Sequence, residues 1–283
     1  MTKFIALIFA IFLIVSTATA QNNQIVWEKD FKKSLASARQ TGKPVLIYFY
    51  APDCQSCKEM DEQFWSGETV AKSIQPFVAI KLNLENEKPT AAKYNVVEAP
   101  FVAFTDPLGN LISFQKGFDK SSLRRLNLGL KEVPKDFTSL ENAYQAIERK
   151  KDNGAALLEI ADAYRNWGIL FLSSEFYRKA LKTPEVAGSA ENKERANFAL
   201  GINAVGYRDH KQAIDLLEDY LKNFPKGTYR ETALTLLIVS NANLEKFKES
   251  DKYLERLKAD FPDSKNIAVA LKAVENAKNK TRK

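Results

Sequence analysis

Cys54-Gln55-Ser56-Cys57 contains both cysteines of a 283-residue chain. Two thiols at this spacing can exchange electrons with another dithiol, staple the chain, or form half of a zinc site. A closed structural zinc site needs about four nitrogen or sulfur ligands. The chain adds a single histidine, His210, far along the sequence, so zinc fails on ligand count. A bridge over a two-residue loop removes little unfolded-chain entropy compared with one that closes a long loop. An inert staple stays open on this argument, but the neighbouring residues favour redox exchange.

Those neighbours set the pair where a strand meets a helix. Val45-Leu46-Ile47-Tyr48-Phe49-Tyr50 is apolar, β-branched and aromatic, as a buried strand requires. Ala51-Pro52-Asp53 breaks it, and Lys58 to Trp65 follows with Met60 and Phe64 four apart on one helical face. A thiol at a helix N-terminus faces unpaired backbone N–H groups and the positive end of the helix dipole. Both favour thiolate, the reactive form. Cys54 is therefore the expected nucleophile and Cys57 the resolving thiol.

The length allows about two domains. The start combines Lys3, a short apolar run from Phe4 to Val15 and the small-residue end Ala18-Thr19-Ala20. That pattern reads as a secretory signal peptide over residues 1–20, since a membrane span needs about 20 apolar residues. An uncleaved anchor is the competing reading. Export places the thiols where disulfides form and persist, most simply in a bacterial periplasm. The formal charge of +7 is mild and spread along the chain, which gives no basis for a nucleic-acid partner.

Residues 21–133 alternate between helical and strand patterns. Trp27, Phe31, Leu35 and Ala38 form a helical stripe that ends at Thr41-Gly42-Lys43-Pro44. Then come the first strand, the cysteine helix, a short helix over Glu68 to Ile74, a strand over Phe77 to Leu82 and a helix near Pro89 to Tyr94. Phe101 to Thr105 and Leu111 to Phe114 flank Asp106-Pro107-Leu108-Gly109-Asn110, a hairpin turn. A helix over Lys120 to Leu130 closes the order. The prediction is a central mixed sheet flanked by helices.

This order, with Lys43 to Lys58 around the cysteines and Val96-Val97-Glu98-Ala99-Pro100-Phe101 before the hairpin, resembles the thioredoxin superfamily. Trp27, Gly42-Lys43-Pro44 and Cys57-Lys58-Glu59-Met60 look most similar to exported reductase-type members, of which the C-terminal domain of the membrane electron carrier DsbD is an example. The resemblance implies a thiol–disulfide oxidoreductase with Cys54 and Cys57 as its redox-active disulfide and no metal or bound organic cofactor. It also implies a cis bond at Pro100, which would leave the Ala99 backbone free to pair with an extended substrate segment. Implied partners are disulfide-containing envelope proteins and a dithiol electron donor such as a DsbD-like carrier. The chain departs from the family at Asp53, where many members have tryptophan, and at Tyr48, where many have a buried acid. Tyrosine is a poor base, with an ordinary pKa of about 10. Glu59, Glu98 or water are the candidates to replace that acid.

Residues 134–283 carry helical patterns only. Phe224-Pro225 and Phe261-Pro262 each end a helical stretch, and their spacing is near that of helix-pair solenoids. Gly201, Ala213 and Leu217 sit as in a tetratricopeptide unit, as do Ala161, Tyr164, Gly168, Tyr177 and Ala180 in an earlier copy. The half thus resembles a tetratricopeptide-like array, a fold that binds extended peptides or proteins. Thr138 to Lys150 is expected to lead it, Ser264 to Lys278 to cap it, and His210 to lie exposed in a turn. The combined expectation is an exported oxidoreductase that recognises partners through its repeats. The rival is a non-catalytic envelope adaptor that docks through them.

Overall fold

A computed structural model describes residues 24–281; the leader expected over residues 1–20 lies outside them. The N-terminal elements are α1 (Phe31–Thr41), β1 (Val45–Tyr50), α2 (Gln55–Met60), α3 (Glu68–Ile74), β2 (Val78–Asn83), α4 (Lys88–Lys93), β3 (Phe101–Thr105), β4 (Leu111–Lys116) and α5 (Lys120–Glu132). One π turn, Asp61–Trp65, continues α2. The sheet runs β2-β1-β3-β4, with β1 parallel to β2 and antiparallel to β3, and β3 antiparallel to β4.

The strand sequences explain why both sheet faces are covered. In β1, Val45, Ile47 and Phe49 pack under α1 and α4 with Leu35, Ala38, Ala91 and Tyr94. Leu46 and Tyr48 point the other way, onto Met60, Phe64, Trp65, Leu126 and Leu130. Alternation along the strand sends successive side chains to opposite faces, so a continuous apolar run is what a strand buried on both sides needs.

The expected helical stripe from Trp27 is corrected at its first residue. Asp30 caps α1 by accepting from the Lys33 N–H at 3.0 Å, so the helix begins at Phe31. The preceding residues extend along β2, where Glu28 forms a parallel bridge to Ile80. Trp27 instead packs on Tyr48 and Trp65.

The remaining chain is helical: a 3-10 turn at Thr138–Leu140, then α6 (Glu141–Arg149), α7 (Gly154–Asn166), α8 (Leu170–Leu181), α9 (Pro184–Gly188), α10 (Ala190–Gly206), α11 (His210–Asn223), α12 (Arg230–Asn243), α13 (Phe247–Asp260) and α14 (Asn266–Thr281). Phe224 and Phe261 end α11 and α13 just before their prolines, because proline cannot donate the next helical bond. Helices α10 and α11 approach closely at Gly201, where an added Cβ would stand 2.6 Å from Leu217 Cδ2. His210 does not lie in an exposed turn: it opens α11, half-buried, with Nδ1 3.4 Å from Ser240 Oγ.

The helical region joins the sheet at one end. The Phe137 N–H donates to the Gly42 carbonyl at 2.7 Å, just ahead of β1. Leu108 and Ile112, from the β3–β4 hairpin, pack against the core that contains Phe137, Tyr144 and Tyr164.

Candidate functional site

Cys54 caps α2. Its sulfur accepts from the Cys57 N–H at 3.1 Å, and its carbonyl accepts from the Lys58 N–H at 3.2 Å. Pro52 and Asp53 form the turn that leads out of β1, and the Cys54 N–H returns to the Ala51 carbonyl at 3.3 Å. Cys54 is half-exposed, whereas Cys57, one turn into the helix, is 2 % exposed. The two sulfurs are bonded at 2.07 Å. Cys54 therefore sits partly open at the helix tip and Cys57 is shielded behind it.

Pro100 and Ala99 come to the same end of the sheet. Phe49 pairs with Phe101, so the exit of β1 toward Cys54 lies beside the entry to β3 from Pro100. The Ala99–Pro100 bond is cis, and the Pro100 carbonyl accepts from the Gly117 N–H at 2.8 Å. Pro100 is buried, Ala99 half-buried and Val97 82 % exposed. A cleft of about 480 Å³ opens next to this loop, lined by apolar Leu84, Ala91, Ala92, Val96 and Val97 and by Glu85, Lys88 and Asn95.

An aromatic and charged cluster lies beneath the cysteine helix. The Tyr48 hydroxyl donates to the Cys57 carbonyl at 3.2 Å. Its ring packs with Trp27 and Trp65. Burial pushes the Tyr48 phenol well above its ordinary range, and the nearby Asp61 carboxylate pushes it further. Lys81 reaches across from β2 to both Asp61 oxygens at 2.8 and 2.9 Å, and it lies over the Tyr48 and Tyr50 rings.

The carboxylates singled out in the sequence point elsewhere. Glu98 pairs with Lys116 on the surface. Glu59 accepts from Gln55, and Asp53 is exposed. Sequence reasoning missed Asp61 and Lys81. The one available signal was that Asp61 follows Cys57 by four residues, one helical turn.

This fold and paired cysteine site define a thioredoxin-like domain, and residues 26–107 match the family model described as Thioredoxin-like. Parts of two thiol:disulfide interchange proteins are similar to this chain. Thiol:disulfide interchange protein DsbD 1 of Pseudomonas aeruginosa is 32 % identical over 81 residues, 27 % of this chain and 14 % of that protein. DsbD of Vibrio vulnificus is 27 % identical over 107 residues, 35 % of this chain and 18 % of that protein. A solved DsbH oxidoreductase is 18 % identical and aligns over 38 % of this chain and 85 % of that one, with a TM-score of 0.33. The chain thus spans less than a fifth of these two DsbD proteins.

Proposed function

We propose that the protein is an exported thiol–disulfide oxidoreductase that exchanges disulfides with envelope proteins through Cys54 and Cys57. The observation that carries this reading is the asymmetry of the pair: a half-exposed Cys54 at the helix tip and a shielded Cys57 behind it. The helix-terminal N–H groups favour a Cys54 thiolate, which attacks a substrate disulfide and releases one substrate thiolate. Cys57 then attacks Cys54, releases the second thiolate and restores the Cys54–Cys57 bond. The reverse sequence reduces the pair at the expense of a donor dithiol, for which a DsbD-like membrane carrier is the proposed source. Pro100 and Ala99 hold the substrate backbone, and the cleft beside Val97 takes a side chain next to the substrate cysteine.

Residues 1–20 serve in this reading as a cleaved leader to the periplasm. Residues 21–133 form the catalytic domain. Residues 134–283 form a tetratricopeptide-like array that recognises the partner. Support for the array comes from the α7–α8, α10–α11 and α12–α13 pairs and from the small-to-large contact of Gly201 with Leu217.

The test is insulin reduction by dithiothreitol, with and without the protein. Acceleration that disappears in Cys54→Ser supports exchange. No acceleration, together with stable capture of envelope proteins by Cys54→Ser, would favour the adaptor.

A further inference from the structure

A cleft of about 630 Å³ opens where the outer strand β4 meets α5 and the turn between α7 and α8. Its apolar walls include Phe104 and Ile112 from the sheet, Leu128 and Val133 from α5 and its end, and Trp167 and Ile169 from the turn. A volume of this size suits one small organic molecule, and clefts between packed units are common places to hold one. Phe114 and Leu128, also in the lining, are 57 % and 38 % exposed. An occupant that covers them takes apolar surface out of water, which favours binding.

Three polar side chains interrupt this lining: Ser113, Arg125 and Glu132. Arg125 is aimed by its neighbours. Gln115 is 3 % exposed, and its amide nitrogen is committed to the Lys116 and Gly117 carbonyls and to Ser122 Oγ. Its remaining oxygen accepts from Arg125 Nε at 2.5 Å, and Ser121 Oγ accepts from Arg125 Nη2 at 3.1 Å. Both partners are neutral, and among the described residues Arg125 makes no ion pair. A guanidinium held in place with its charge uncompensated is suited to a carboxylate. Glu132 follows seven residues later on the same helix, about 10 Å along its axis. Its charge disfavours a second anion at that end.

A strand from another protein is a poorer occupant. The pairing of β4 with β3 slips at Phe104 and Thr105, which leaves Ile112 as an extra residue. Such a bulge breaks the regular ladder that an added strand needs. The Gln115 side chain also takes up the Lys116 carbonyl.

We propose that this cleft binds a small monocarboxylate with an apolar body, its carboxylate on Arg125 and its chain along Leu128, Trp167 and Ile169. None of these residues belongs to the cysteine site, so the inference stands apart from the exchange reading.

The experiment titrates the full-length protein with decanoate in a calorimeter. Saturable binding of one molecule per chain is expected. Decanol lacks the charge, and decanedioate brings a second carboxylate toward Glu132; each should bind about tenfold more weakly. Arg125→Met keeps an apolar stem and should weaken decanoate about tenfold or more, as loss of a hydrogen bond to a charged group does. If that variant does not fold, Leu128→Asp places a carboxylate at an exposed position in the lining and should weaken decanoate more than decanol. No saturable binding of decanoate overturns the proposal. Equal binding of decanoate and decanol, or an affinity unchanged in both variants, overturns it as well.

Discussion

The Tyr164 hydroxyl of α7 donates to the carboxylate of Asp106, in the turn between β3 and β4. Asp106 is fully buried. Its other partners are the Leu108 and Asn110 N–H groups at 2.9 and 2.7 Å and the Asn110 amide at 2.7 Å. The Tyr144 hydroxyl, from α6, lies 3.3 Å from that of Tyr164. A carboxylate from the sheet is thereby completed by the helical region. Tyr164→Phe leaves it short of one donor and should cost about 1.5–3 kcal/mol, the usual range for hydrogen bonds to charged groups. Urea denaturation measures this, and an unchanged midpoint would refute it.

The same carboxylate sets a pH dependence. Burial raises the Asp106 pKa above its ordinary value, with Tyr164 and Asn110 opposing part of that shift. A folded-state pKa above the unfolded one means that the folded protein binds the proton more tightly. Stability from this group is therefore present below the unfolded pKa and is lost as pH rises through the folded value. Asp106→Asn removes the titration, so the variant should gain on the wild type as pH climbs from about 4. Thermal melts of both proteins across pH test this, and parallel curves would contradict it.

Gly129 in α5 faces the ring of Phe104, and a Cβ there would stand 2.4 Å from Phe104 Cε2. Gly129→Ala should destabilise the sheet–helix packing by about 1–3 kcal/mol, as overpacking does. An alanine variant as stable as the parent would show that the ring can move aside at no cost.

The two thiols of the reduced protein should differ in access. Iodoacetamide should modify Cys54 well before Cys57, which is 2 % exposed in the oxidised form. Mass spectrometry of the peptide spanning both cysteines reads the order. Cys57→Ser should accumulate mixed disulfides on Cys54, and capture by Cys54→Ser instead would reverse the assigned roles.

What could be read from sequence followed the range of the forces involved. The strand before Cys54, the hairpin around Asp106-Pro107-Leu108-Gly109-Asn110 and the helix ends at Phe224 and Phe261 obey rules that act over a few residues, and the structure has them. The hairpin's second strand runs to Lys116, two residues past the expected Phe114. Trp27 fitted a helical period, but the Asp30 cap outside that period decided where the helix starts. Asp61 and Lys81 are 20 residues apart and meet only because β2 lies beside the cysteine helix. Asp106 and Tyr164 are 58 residues apart. Periodicity carries no information about such pairs.

Anchoring of the helical region at the start of β1 and the end of β3 sets a reach. Cys54 and Pro100 lie at the other end of those strands, and six residues of strand measure about 20 Å. A partner gripped by the first helices and oxidised or reduced at Cys54 must span at least that length, or carry its disulfide on an extended arm. Small thiols would meet no such requirement. On the proposed reading, in which the helices hold the partner, that distance would act as a ruler, ranking partners by the separation between where they are held and where their sulfurs sit.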